Sequence, residues 1–187
     1  MLKDLERRIK HEEELFTKSI PDHSSLIELS KDCLSTRADQ RTIHAILDIG
    51  HLQNVSRYIT KENLTDKWFD ILLMLIKRSN YHIGYMLDQR SNRYGNDIAI
   101  NIVNEGEVKS LSYLTLWSLI KEVGRSLSVF EQDQQKPIIG ILSHNQLNCT
   151  LVDLACLSFG FKVVPIPLNA TSEHVSFICL LYTSDAA

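Results

Sequence analysis

The chain has 187 residues, of which 44% are hydrophobic and 23% charged, with only seven glycines and four prolines. This composition excludes disordered and fibrous proteins, and the length allows one domain or a small domain beside a larger one. The formal net charge of −3 provides no polycationic surface for a phosphate backbone, so we expect no nucleic-acid partner.

Nothing in the sequence indicates export or a membrane span. The longest uninterrupted apolar run, Ile71 to Ile76, is far shorter than the ~20 residues that cross a bilayer. The first residues are charged and lack the apolar stretch of a secretory signal, which predicts a cytoplasmic protein. The four cysteines form no Cys-x-x-Cys pair, and we interpret them as free thiols rather than zinc ligands.

Residues 1–78 are predicted to be entirely helical, because their apolar residues recur at helical spacing. We expect a first helix that ends at Pro21, a second that is capped within residues 22–25, and a third that runs from about Asp39 to Gly50. The apolar residues of the first helix are Leu2, Leu5, Ile9, Leu15 and Phe16.

A fourth helix is predicted after Asn63 or Thr65, either of which could cap it. Apolar residues follow one another almost without a break from Trp68 to Ile76, so this helix is apolar around most of its circumference. A helix of that kind is normally buried. We therefore expect it to be buried on all sides and to act as a hinge between the two halves of the chain.

A β-hairpin followed by a helix is predicted after residue 97. Apolar residues alternate from Ile98 to Ile102, residues 104–107 are typical of a turn, and a returning strand is expected over 108–111. Ser112 stands where an N-cap is needed. The helix that follows has an apolar stripe that should pack on a sheet: Tyr113, Leu116, Trp117, Ile120, Val123, Leu127 and Phe130.

The next segment predicts a βαβ unit. Residues 138–142 form a continuous apolar strand of the kind that is covered on both faces, and a second strand is expected over 161–165. Between them, Asn145 could cap a helix that ends before Gly160. Such units belong to parallel sheets, so the fold class is α/β with a mostly parallel sheet.

The order of features in residues 111–178 resembles the amino-terminal part of AMP-forming acyl-CoA synthetases, within the adenylate-forming (AMP-binding) superfamily. The Ser-His-Asn turn and the Asp-Leu-Ala helix look most like the long-chain fatty acyl-CoA branch. The likeness covers about 70 residues clearly and rests on an ordered set of residues: Tyr113, Asn145, Asp153, Gly160 and Pro165.

The resemblance implies an ATP-dependent acid-thiol ligase. In that family a carboxylate attacks the α-phosphate of ATP to give an acyl adenylate, and the thiol of CoA then displaces AMP. The implied cofactors of the full-length enzyme are ATP, Mg²⁺ and CoA, and the implied substrate is a carboxylic (fatty) acid. The implied architecture is a helical extension at residues 1–78 and a truncated amino-terminal subdomain at residues 79–178.

The parts that carry this chemistry are absent from the sequence. No glycines stand at the spacing of a phosphate-binding loop, and the family's acidic Mg²⁺ ligand and catalytic lysine would lie beyond residue 187. We therefore expect no catalytic, cofactor-binding or metal-ligating residue in this chain. The chain alone should be inactive and should bind no cofactor.

Residues 179–187 are interpreted as a non-native tail. Residues 181–184 look like the opening of the family's phosphate loop, but Asp185 stands where glycine is obligatory. The whole stretch Cys-Leu-Leu-Tyr-Thr-Ser-Asp-Ala-Ala resembles a translated sequencing adapter. The hypothesis is that the natural gene continues differently after Ile178.

Two other functions fit the same residues. The chain could belong to an adenylation protein that loads a carrier protein instead of CoA. Alternatively, residues 1–78 could form a non-catalytic interaction module, with the α/β part a relic.

Individual polar and aromatic residues have ordinary structural explanations. His144 is expected in a solvated turn, and Asp153 lacks a catalytic partner at helical spacing. The stretch from His11 to Leu15 lacks the second histidine of a zinc helix and is interpreted as a solvated charged face. Trp68 and Trp117 are expected in the core. Cys149 and Cys156 should fill the buried side of one helix.

Overall fold

The computed structural model describes residues 2–36, 38–104, 106–131 and 136–184. The chain divides into two compact units, Met1–Tyr81 and His82–Ala187, which we call the helical unit and the α/β unit. In the part of the chain that is described, no helix combines the length and the apolar character that a membrane crossing requires.

The helical unit contains the four predicted helices, here α1, α2, α3 and α5, together with α4, which the sequence did not predict. The first helix ends at Lys18, ahead of Pro21, and Asp39 caps the third as expected: its Oδ1 accepts from the backbone N–H of Thr42 at 2.8 Å. The bounds are α1 Leu2–Lys18, α2 Leu26–Ser35, α3 Gln40–Gly50, α4 Gln53–Lys61 and α5 Thr65–Ser79.

Helix α5 differs from its prediction in two ways. Its N-cap is Leu64 rather than Asn63 or Thr65, and the cap makes no side-chain hydrogen bond. Burial on all sides is wrong: the helix buries Trp68, Ile71 and Leu75 against its own unit, but Phe69 is 61% exposed. Leu73 and Met74 are exposed as well. A continuous apolar run does not reveal which of its faces meets the core.

The core of the helical unit contains residues from all five helices. Phe16, Leu29, Ile46, Val55 and Leu75 are representative members, each almost fully buried. Phe16 meets Tyr58 edge to face, with ring centroids 5.5 Å apart. This unit therefore has a hydrophobic core of its own.

The α/β unit contains the predicted hairpin and βαβ unit, together with α6, which the sequence did not predict. The bounds are α6 Ile83–Arg93, β1 Ile98–Asn104, β2 Glu107–Ser112, α7 Tyr113–Ser128, β3 Ile138–Ile141, α8 Leu147–Phe159, β4 Lys162–Pro165 and α9 Ser172–Ser184.

The hairpin is confirmed, but it does not belong to a parallel sheet. Strands β1 and β2 pair antiparallel, and Gly106 in the turn has φ +86°, a conformation that suits glycine. Residue 105 of the predicted turn lies outside the described residues. Ser112 caps α7 as predicted, because its Oγ accepts from the N–H of Thr115 at 3.2 Å.

The βαβ unit is confirmed by the parallel pairing of β3 with β4, with α8 between them in sequence. Gly160 ends α8 with φ +72°, as its position predicted. Two details are wrong: the N-cap of α8 is Gln146 rather than Asn145, and none of the four β3 residues is buried. The described strands form two separate two-stranded sheets, so a mostly parallel sheet is also wrong.

Helices α6, α7 and α8 enclose the core of the α/β unit. Trp117 packs there as predicted: it stacks on Phe159 with centroids 6.1 Å apart, and its Nε1 donates to Asp88 Oδ1 at 2.9 Å. Ile120 and Ala155 are fully buried beside it. The predicted stripe ends one turn early, because α7 stops at Ser128 and Phe130 is 65% exposed.

Candidate functional site

The carboxyl ends of β3 and β4 form the best candidate site in the α/β unit, because parallel α/β folds bind ligands outside the carboxyl ends of their strands. The two strands end side by side: Ile138 to Ile141 is in register with Lys162 to Pro165, and the N–H of Ile166 donates to the carbonyl of Ile141 at 2.8 Å. The loops that leave this edge are residues 142–146 and residues 166–171.

The loop after β3 is open to solvent. Leu142, Ser143, His144 and Asn145 are all exposed, and Ser143 Oγ donates to the carbonyl of His144 at 3.0 Å. His144 thus lies in a solvated turn, as predicted.

The loop after β4 and the start of α9 enclose a half-open cavity of about 350 Å³. Its wall is mostly apolar, from Pro167, Ala170, Phe177 and Ile178, with the polar side chains of Asn169 and His174 at the same cavity. A mostly apolar wall with few polar groups is typical of small-molecule sites. The sequence analysis assigned none of these residues to a binding site, because the cavity forms only when the loop folds back against α9.

The two loops at this edge lack two features that are common in triphosphate-binding loops. Neither loop contains a lysine or a glycine, which commonly supply charge and close backbone approach where proteins bind phosphate. Across the described ranges, no three His, Cys, Asp or Glu side chains are placed to hold a metal ion. We therefore assign no triphosphate-binding role to these two loops.

Asp153 lies half-buried on α8, one turn from Cys156. Burial, and secondly the negative charge of Asp153, raise the pKa of the Cys156 thiol. Cys156 is fully buried as predicted, whereas Cys149 is only partly buried. Cys156 therefore has a packing role on the buried side of α8.

A second cavity, of about 490 Å³, lies in the helical unit between α1, α2 and α5. His11, Glu12, His23 and Lys67 are among its lining residues. Glu12 is only 3% exposed, so the prediction that residues 11–15 form a solvated charged face is wrong at this position.

Glu12 is buried because it caps a neighbouring helix. Its Oε2 accepts from Ser24 Oγ at 2.6 Å, and its Oε1 accepts from the N–H of Ser25 at 3.0 Å and from Ser25 Oγ at 2.7 Å. The carboxylate thus lies at the N-terminus of α2, where the helix dipole favours negative charge. Ser25, the N-cap residue, makes no cap bond with its own side chain. The role of Glu12 is structural.

The remaining thiols and tryptophans behave as the sequence predicts. Trp68 is 7% exposed in the core of the helical unit. Burial, followed by the charge of Asp32, raises the pKa of the Cys33 thiol to about 11. At neutral pH this thiol is therefore protonated and unreactive. All four cysteines carry free thiols.

The comparisons with known proteins give one curated relative. The nonribosomal peptide synthetase sidC of Arthroderma benhamiae is 37% identical over 90 residues, which is 45% of this chain and 2% of that protein. The chain therefore spans a very small part of the length of this relative. No protein-family model matches the chain, and no solved structure matches it.

Proposed function

We propose that the α/β unit is an amino-terminal part of an adenylate-forming domain, a domain that activates an acid as its acyl adenylate. The observation that carries this proposal is the 37% identity over 90 residues to a nonribosomal peptide synthetase. The observed order of a capped helix followed by a βαβ unit also supports it, because the resemblance to adenylate-forming enzymes rests on residues of these elements.

The proposed role of this unit is to support the active site rather than to form it. Its core lies between α6, α7 and α8, and its parallel strand pair supplies an edge to which further strands could add. The two loops at the carboxyl edge lack the groups that bind a triphosphate. The side chains that hold ATP, Mg²⁺ and the acid would therefore come from other segments of the same domain.

The acceptor of the activated acid distinguishes two branches. The relative is named as a nonribosomal peptide synthetase, and this name favours the branch that loads a carrier protein over the branch that forms acyl-CoA. We keep both acceptors in the proposal, and the acid substrate is an amino acid or a fatty acid accordingly.

The experiment is ATP–pyrophosphate exchange by the full-length protein that the natural gene encodes. The proposal expects exchange that depends on an added acid, with an amino acid as the substrate in the carrier branch and a fatty acid in the acyl-CoA branch. The 187-residue chain serves as the control, and calorimetry should detect no saturable binding of ATP to it. Full-length protein that exchanges pyrophosphate with none of these acids would contradict the proposal.

An interaction module is the second candidate for the helical unit. The observation in its favour is the separate core of Met1–Tyr81, which includes Phe16, Leu29, Ile46 and Leu75. Expression of residues 1–81 alone should then give a cooperative unfolding transition. A non-cooperative profile would contradict independent folding of this unit.

A further inference from the structure

The outer face of α5 combines exposed apolar side chains with an ordered pattern of charge. Helix α5 packs on α2, α3 and α4, yet three of its apolar side chains remain exposed: Phe69 at 61%, Met74 at 49% and Leu73 at 40%. Single exposed apolar side chains are ordinary, but several on one helix face indicate a contact surface.

Leu73 lies opposite the core, and Phe69 and Met74 lie on either side of it. The core side of α5 is formed by Trp68, Ile71, Leu75 and Ser79, which are all buried. At 100° per residue, Phe69 and Leu73 point away from that side, because residues four apart in sequence stack on one face. The part of this face within about 60° of Leu73, which we call the outer face, contains three exposed charged residues: Asp66, Asp70 and Lys77. Lys67 and Arg78 are exposed as well, but they lie on the flank of the helix, more than about 100° from Leu73.

The charges on this face divide along the helix. Asp66 and Asp70 precede Leu73, and Lys77 follows it. With a rise of 1.5 Å per residue, Asp70 lies about 4.5 Å before Leu73 and Lys77 about 6 Å after it. A second α5 that runs antiparallel, with the two-fold axis at Leu73, would therefore bring each Lys77 to within about one residue of the level of the partner's Asp70.

We propose that two copies of this chain associate through antiparallel pairing of their α5 helices. Leu73 then packs on its own copy at the two-fold axis, and Asp70 pairs with the ammonium of the partner's Lys77. Phe69 packs against the partner helix on the other side of Leu73. A parallel arrangement would place like charges side by side. The self-complementary pattern favours a second copy over an unrelated partner, because an isologous interface uses one patch twice.

The expected affinity is modest. Helix α5 has 15 residues and is about 22 Å long, so the contact buries less than roughly 1,200 Å² in total, which is the range of weak and reversible complexes. We expect a dissociation constant on the order of 10–100 µM.

Sedimentation equilibrium of the full chain, from about 5 to 500 µM, tests this pairing. Phe69→Asp should raise the dissociation constant at least about tenfold. The matched control is Phe130→Asp, which changes an equally exposed phenylalanine on the α/β unit and should leave the dissociation constant unchanged. Wild-type chain that stays monomeric at about 500 µM would overturn the proposal, and so would equal effects of the two substitutions.

Charge reversal tests the antiparallel geometry. Asp66→Lys with Asp70→Lys makes the outer face entirely basic, and Lys77→Glu makes it entirely acidic, so each of these two proteins should be monomeric alone. An equimolar mixture should regain dimers, because each basic face then meets an acidic one. Circular dichroism should be unchanged, since the three residues are exposed. A mixture that remains monomeric would overturn the antiparallel arrangement.

Discussion

The buried carboxylate of Glu12 provides the sharpest test of how the helical unit is held together. Glu12→Ala removes an acceptor that is 3% exposed and that receives three hydrogen bonds, from Ser24 Oγ, Ser25 Oγ and the N–H of Ser25. A hydrogen bond to a charged group contributes about 1.5–3 kcal/mol. The three bonds share one carboxylate, and the serine hydroxyls can turn to solvent, so their contributions do not add. We expect a loss of about 2–4 kcal/mol in the free energy of unfolding.

The assay is urea denaturation followed by tryptophan fluorescence in a Trp117→Phe background, which leaves Trp68 in the helical unit as the reporter. Glu14→Ala is the matched control, because Glu14 lies on the same helix and is exposed. Glu12→Gln, which keeps one amide oxygen as acceptor, should fall between the two. Equal midpoints for Glu12→Ala and Glu14→Ala would refute the capping role of this carboxylate.

Three further predictions concern the packing and capping of single residues. Below pH 9.0 the Cys33 thiol is protonated in both the folded and the unfolded state, and its contribution to stability is fully present. As the pH rises from 9.0 through about 11, only the unfolded state loses this proton, so the urea midpoint should fall with pH. The fall should be smaller in Cys33→Ala, which lacks the thiol. Gly124→Ala would bring a methyl group against the Phe159 ring, and thermal unfolding should report a loss of about 1–3 kcal/mol, whereas an unchanged transition would contradict this contact. Asp39→Ala should lower the melting temperature and Asp39→Asn should largely preserve it, because asparagine also caps; equal losses would mean that charge rather than capping matters.

The local signals in the sequence were sufficient for much of the α/β unit. Ser112 begins α7 through its side-chain oxygen, and Gly160 ends α8 through its positive φ. Each mechanism depends on one residue and its immediate neighbours. The alternation of Ile98, Ile100 and Ile102 predicts β1 for the same reason. By contrast, α4 and α6 were missed because most of their residues are polar: Val55, Tyr58 and Ile59 alone are buried in α4.

The features that depend on tertiary contacts could not be predicted. An uninterrupted apolar run such as 71–76 gives no periodicity from which the buried face of α5 could be inferred. Glu12 is a charged residue within a charged segment, and only the packing of α1 on the N-terminus of α2 makes it a cap. The cavity beside Pro167 and Phe177 likewise depends on two segments that meet in space. The pair of serines directly before α2, Ser24 and Ser25, marks the N-terminus of that helix, but it does not indicate that Glu12 is the acceptor there.

The genomic sequence immediately after the codon for Ile178 tests the central proposal most directly. If the α/β unit belongs to an adenylate-forming domain, the reading frame should continue into a loop rich in glycine, serine and threonine that contains a lysine, in place of the codons for residues 179–187. Genuine codons for residues 179–187 followed by a stop codon would contradict the proposal.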